Sequence, residues 1–279
     1  MAMTDAELWF VDLERASAAL EALESETARL SDVDNARFSA MTDTAARRHR
    51  RLAHIALRLL LERWCGPRIR GVPFVVSASG KPALAPAGAS FSLAHTASSA
   101  LIAIRDSGPV GVDIEHTRKV KMPPARRSPI ERAAVALAGG APLAGSSDRD
   151  ARFLSAWVRI EAVAKATGSG VGPMLELLRP RTVPAGDEGL AAVAGGSTVV
   201  AHDLAIAPGL FAAVALAPGR QPPPVRPLPS RIADLTALLQ QSEASASSES
   251  AIASATACPT VRSSCADISC SARPRVPVR

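Results

Sequence analysis

The chain contains no tyrosine, and aromatic residues make up only 3% of its 279 residues. That scarcity argues against a single-stranded nucleic-acid surface, which stacks bases on aromatic rings. Lysine is scarce as well. Of the 32 basic residues only Lys81, Lys119, Lys121 and Lys165 are lysines; the other 28 are arginines. A compact amine and a planar guanidinium are not equivalent, so each lysine marks a position to inspect. No apolar run reaches the roughly 18 residues that a transmembrane helix needs. The opening stretch, MAMTDAELWFVDLER, has acids where a secretory leader needs positive charge, and a cytoplasmic location is expected. There are four cysteines. Cys65 stands alone, while Cys258, Cys265 and Cys270 are spaced neither like a paired zinc site nor like a disulfide framework.

What is present suits a globular body with a tail. Apolar residues account for 47% of the chain, enough for one large or two small domains with a real core. The net charge is +6, and residues 220–279, with seven Arg against four acids, supply half of it. A body this close to balance is not a strongly basic nucleic-acid binder, despite the run RRHRR at 47–51. From Gln221 the composition turns to QPPPVRPLP, which reads as a polyproline linker. One short helical piece, SRIADLTALLQQ, follows, and the Ser/Ala-rich remainder is expected to be disordered. The divisions expected are 1–107, 108–219 and a tail over 220–279.

Periodicity predicts an α+β body. LWFVDL (8–13) reads as a strand and residues 17–31 as a helix, with Ser31 or Asp32 capping the next one. Residues 46–66 form a long helix with Leu52, Ile55, Leu59, Leu60 and Trp64 on one face, closed by Gly66. Residues 72–84 read as two short extended pieces around a Gly turn, and 89–118 as two or three strands. Residues 151–168 form a second long helix closed by Gly168, and 197–217 a hairpin. FSLAHTASSALIAI and VVAHDLAIAPGLFAAVAL echo each other as strand, turn and small-residue strand, which suggests two similar halves.

Four short motifs carry chemistry. In AWVRIEAVAK (156–165), Trp157, Glu161 and Lys165 recur every four residues and line one stripe of a helix. A solvated Glu–Lys pair contributes only about 0.2–0.5 kcal/mol, so the scarcity of lysine is what singles this one out. In GVDIEHTR (111–118), Asp113 and Glu115 point to one face of a strand. Two neighbouring carboxylates repel unless a cation lies between them, and such oxygen ligands suit Mg²⁺. Acidic pairs are also common on solvated strands. His95 in SLAHTAS and Lys81 in SGKPAL would each, taken singly, pass for a structural histidine and a solvated turn lysine. GSGVGP after Lys165 lacks the features of a phosphate loop and reads as a helix cap and turn.

Taken in order, GKPAL, FSLAHT, GVDIE and FLSAWVRIEAVAKATGSG resemble the 4′-phosphopantetheinyl transferases, in particular the larger Sfp-type enzymes. The resemblance runs from about residue 8 to 217. It implies two pseudo-symmetric halves, each a small mainly antiparallel sheet packed with a long helix, with the active site in the cleft between them. It implies a holo-[acyl-carrier-protein] synthase type of enzyme that binds coenzyme A there, with Mg²⁺ held by Asp113, Glu115 and Glu161. Phosphopantetheine would move to a serine of an apo carrier protein of fatty-acid, polyketide or nonribosomal-peptide synthesis, releasing 3′,5′-ADP. Glu161, or a water on the metal, would take the serine proton, and Lys165 would balance phosphate charge. Lys81 and His95 match positions that touch CoA phosphates, and Arg50 is the choice within the arginine run. One chain supplying both sides of a cleft implies a monomer, with no nucleic-acid or membrane partner.

Two positions depart from the family pattern. Ile160 stands where a basic residue usually precedes the Glu, and Arg159 points elsewhere on a helix. Ala94 stands where a serine often precedes the His. Ile160 also supports an alternative, a weakened homologue that binds CoA or a carrier protein without efficient transfer.

Overall fold

Strand alternation decides the layering of this protein. The computed structural model describes residues 6–76, 80–85, 88–145, 147–177 and 198–241. These fall in one unit, Met1–Glu243. The disordered tail expected after 241, with Cys258, Cys265 and Cys270, lies outside the described residues.

The first sheet holds β1 (Ala6–Asp12), β4 (Ser90–Thr96), β5 (Ser99–Arg105) and β9 (Val225–Pro227), in the order β4-β5-β1-β9. β1 and β4 both run antiparallel to β5, and β9 lies parallel to β1. The second holds β6 (Val110–His116), β7 (Val200–Asp203) and β8 (Leu210–Leu216), all antiparallel, in the order β6-β8-β7. A third, minimal pair joins β2 (Val75–Val76) and β3 (Pro82–Ala83). The fold is therefore α+β with small, mainly antiparallel sheets, as the periodicity predicts.

The two larger sheets share a core. Leu8, Leu101 and Ala103 of the first meet Val110, Val112, Ile114, Val214 and Leu216 of the second. On its outer face the first sheet turns Trp9, Val11, Ile102 and Ile104 toward α1 (Ser17–Glu26) and α3 (Thr44–Cys65). Leu52, Ile55, Leu59 and Leu60 of α3 are fully buried. The expected Trp64 is only partly buried, and its Nε1 donates to Asp106 at 3.1 Å. Ser31 caps α2 (Asp32–Ser39) through a reciprocal capping box with Asp34. The second sheet turns its outer face to α4 (Pro124–Leu137), α5 (Arg149–Thr167) and α6 (Val171–Leu177).

The Pro-rich stretch after Gln221 is not a free linker. Val225, Arg226 and Pro227 pair with Leu8, Trp9 and Phe10, and Leu228 N donates to Phe10 O at 2.8 Å. Proline is tolerated because β9 is an edge strand. Leu228 and, in the helix α7 over 232–241, Leu235 are buried in the core under the first sheet. Among the described residues, no helix is long and apolar enough to cross a membrane.

Arg159 shows why α5 sits where it does. The side chain is 2% exposed and forms a two-point ion pair with Asp203 of β7, both contacts at 2.7 Å. It also donates to Ala141 O at 2.7 Å and Pro142 O at 2.8 Å. It points away from Glu161, toward α4 and β7. Arg159→Leu is expected to lower stability by about 2–4 kcal/mol, because three carbonyls, Ala134 O at 3.5 Å being the third, and a carboxylate lose a charged donor. The shift of the urea midpoint measures it.

Candidate active site

α5 is a well-specified helix. Asp148 accepts from Asp150 N and Ala151 N at its start, and Gly168, with φ of 70°, closes it in the left-handed region. Trp157 is partly buried and stacks on Phe153, ring centres 6.0 Å apart. One turn on, Glu161 and then Lys165 reach a cavity of about 530 Å³. Ile160 is fully buried in the core, so position 160 brings no basic group to Glu161.

β6 crosses this helix at very short range. Val110, Val112 and Ile114 face the intersheet core, so Asp113 and Glu115 lie on the opposite face, toward α5. Gly111 allows the approach: a Cβ there would stand 2.0 Å from Ala162 O and 2.4 Å from Ala166 N. Lys165 Nζ then reaches Asp113 Oδ1 at 2.6 Å. The GxDxE strand and the WxxxEAxxK helix are thereby joined by an ion pair, 52 residues apart in sequence.

The carboxylates sense one another. Burial pushes Asp113 up to about 7; Lys165 pulls it down, and Glu161 and Glu115 push it further up. Glu161 is raised, first by burial and then by Glu115, against the pull of Lys165. Glu115 itself pairs with Arg118 at 3.3 Å. Among the described residues, no group of three or more His, Cys, Asp or Glu side chains is gathered as a metal site. Asp113, Glu115 and Glu161 are oxygen donors of the class that suits a hard divalent cation, but Asp113 is paired with Lys165 and Glu115 with Arg118.

The arginine run sorts itself by partner. Arg48 pairs with Glu14 at 3.1 Å and Arg51 with Glu21. Arg50 alone of these three turns to His95, its Nε donating to Nε2 at 3.4 Å. That bond places the His95 proton on Nδ1. Lys81 lines the cavity, but its Nζ donates to Val110 O at 3.2 Å and Ala166 O at 2.9 Å. Of the seven predicted residues, Lys81, Glu161 and Lys165 wall the cavity. Asp113 joins them through Lys165, Glu115 acts through its charge, and Arg50 and His95 form a separate adjoining pair.

Sequence reasoning missed three contributors. Ser92, on the cavity wall, accepts from Val112 N at 3.1 Å and so ties β4 to β6. Asp34 also lines the cavity, and its Oδ2 takes a 2.6 Å bond from the fully buried Arg58. His54 stands with Nδ1 4.0 Å from Asp34 and its ring edge-on to Phe38, 5.2 Å between centres. The only signal for Asp34 is its place in the capping box; His54 had none.

His54 and His95 give the site a pH signature. Burial pushes His54 down to about 4; Asp34 opposes this, and the positive charges of Arg37 and Arg58 add to it. Burial likewise pushes His95 down to about 4, helped by Arg50 and Lys165. Their folded values lie below the unfolded one, so their contribution to stability is complete above about pH 6.5 and is lost as the pH falls toward 4. For His54 this amounts to about 3 kcal/mol. Asp113 has the opposite sign: its raised value favours the fold at low pH, a contribution lost as the pH rises through about 7. Proton NMR of the two imidazole C2–H signals is expected to show both rings neutral down to about pH 5. An ordinary midpoint for His54 would contradict its burial.

Compared with models of known protein families and with curated proteins, the chain matches none.

Proposed function

We propose that the chain transfers 4′-phosphopantetheine from coenzyme A to a serine of an apo carrier protein. The observation that carries this reading is the 2.6 Å Lys165–Asp113 pair, which brings the acidic strand and the Glu–Lys helix together beside an open cavity. The pairing of a four-stranded sheet under α3 with a three-stranded sheet under α5 supports the two-half reading, with the cavity as its cleft. One chain then supplies both walls and a monomer suffices. The reading has a cytoplasmic enzyme with neither nucleic acid nor membrane as partner.

In this reading Asp113, Glu115 and Glu161 hold Mg²⁺. When bound, the ion supplies charge neutralisation at the pyrophosphate and polarises the phosphorus under attack. The residues' own work is separate. Arg50 and Lys165 place positive charge along the phosphates, and neutral His95 donates from Nδ1. Glu161 accepts the proton from the acceptor serine, and its raised affinity for protons suits a base working near neutral pH. The serine Oγ forms a bond to the β-phosphorus of CoA, the bond from that phosphorus to the bridging oxygen breaks, and 3′,5′-ADP leaves with the electron pair. The carrier keeps a phosphodiester.

Mass spectrometry of an apo acyl carrier protein incubated with this protein, CoA and Mg²⁺ tests the reading. The expected result is a gain of one phosphopantetheine, absent with EDTA. The fully buried Ile160 favours a second reading, a homologue that binds CoA but transfers poorly. Calorimetric binding of CoA without any mass gain across peptidyl, polyketide and fatty-acid carriers would select it.

A further inference from the structure

We infer that Lys81 is a positioning residue that pins β6 to α5, and not a ligand for CoA phosphates; the kinetic and CoA-affinity parts of this inference rest on the transfer reaction proposed above, the pin itself does not. The last carbonyls of a helix have no partner within it, and a cation at that end also meets the negative pole of the helix dipole. Lys81 Nζ supplies both at α5, donating to Ala166 O at 2.9 Å. The same amine donates to Val110 O at 3.2 Å, the first carbonyl of β6. Gly111 follows Val110, and its missing Cβ is what lets β6 lie on the backbone of Ala162 and Ala166. The amine therefore binds Ala166, one of the two α5 residues on which Gly111 rests, where a Cβ on Gly111 would stand 2.4 Å from the backbone N.

That residue adjoins the chemistry. Lys165 precedes Ala166, and Asp113 lies three positions beyond Val110, with 2.6 Å between their charged atoms. A slip of β6 along α5 would change that contact and move Asp113 and Glu115 relative to Glu161. Lys81 arrives from a third element, the β2–β3 pair. Gly80, with φ of 85°, turns the chain toward it, and Pro82 begins β3. Burial lowers the amine's proton affinity, consistent with a site between backbone carbonyls and not among solvated phosphates. The inference predicts that Lys81 acts on rate through Asp113 and Glu161 while leaving CoA affinity largely alone.

The test compares Lys81→Met with wild type and with Lys119→Met, a control at a 95% exposed side chain. Amide hydrogen exchange is read over 110–116 and 162–168, CoA affinity by calorimetry, and transfer by mass spectrometry. Lys81→Met is expected to speed exchange in both segments by about tenfold or more and to lower kcat by at least about tenfold. The CoA dissociation constant should change by less than about threefold, and Lys119→Met should match wild type in all three. Weakening of CoA binding by about tenfold or more with unchanged exchange and kcat would make Lys81 a phosphate ligand and overturn the inference. If Lys81→Met does not fold, Lys81→Gln, which keeps a donor for one carbonyl, is read the same way. A wild-type protein that neither binds CoA nor modifies any carrier would remove the proposed reaction, and the exchange result would still decide the pin.

Discussion

Glu161→Gln is expected to reduce phosphopantetheine transfer by about 10²–10⁴-fold while leaving the melting temperature within a few degrees of wild type. The amide matches the carboxylate in size, so the cavity wall keeps its shape. It cannot accept a proton and is a poor ligand for a hard cation, so the variant loses both roles proposed for this residue. CoA binding should fall much less, because Arg50, His95 and Lys165 are untouched. The separation is therefore in kcat and not in KM. The pH dependence offers an independent check. Burial and the charge of Glu115 raise the affinity of Glu161 for protons, with Lys165 opposing. Wild-type kcat should therefore climb with pH above the ordinary carboxylate range, as the base loses its proton, and that ascending limb should vanish in Glu161→Gln. Full activity in Glu161→Gln, with the limb intact, would hand the proton to another group and remove Glu161 from the chemistry.

How much of this was legible beforehand depended on the range of the interaction involved. Local signals read correctly. Alternation placed Asp113 and Glu115 on one face of β6, the period of 3.6 placed Glu161 and Lys165 on one stripe of α5, and Gly66 and Gly168 end their helices with positive φ. Scarce lysine drew attention to Lys165, which the fold sets 2.6 Å from Asp113. The edge strand β9 was hidden because its three residues have no periodicity of their own, and prolines dominate the composition around them. It forms because β1 offers a free edge and Leu228 and Leu235 join a core built from residues between Trp9 and Ile104.

Lys81 shows the same limit from another side. Its residue type and its place after a Gly turn mark a useful amine, but an amine's target is set by tertiary contact. Here the targets among the described residues include main-chain carbonyls 29 and 85 residues away. The arginine run is comparable: four similar side chains on one helix end cannot be ranked by spacing, and the fold sorts them by placing Glu14, Glu21 and His95 around α3. His54 and Asp34 enter the cavity wall because α2 and α3 pack together, which no pattern in either segment announces.

Gly111→Ala is expected to destabilise the protein by about 3 kcal/mol or more, an overpacking penalty at the upper end of its usual range. The cause is steric and not conformational, since Gly111 is absent from the glycines with positive φ. A methyl carbon there would lie 2.0 Å from Ala162 O, 2.4 Å from Ala166 N and 3.0 Å from Ala166 Cα. All three are backbone atoms of a helix, with no rotamer to yield. β6 must lift away from α5, which opens the core under Val163 and Ala213 and breaks the Lys165–Asp113 pair in one movement. Gly172→Ala is the matched control. Among the described residues a Cβ at Gly172 meets nothing within 4 Å, its φ is not positive, and it lies within α6. Alanine should be neutral there or stabilising by up to about 1 kcal/mol. Urea midpoints of the two variants against wild type measure the contrast. A Gly111→Ala protein as stable as Gly172→Ala would mean that β6 does not rest on α5 at this distance. Asp113 would then lack the constraint that holds it against Lys165, and the convergence of strand and helix on which the proposed chemistry depends would lose its physical basis.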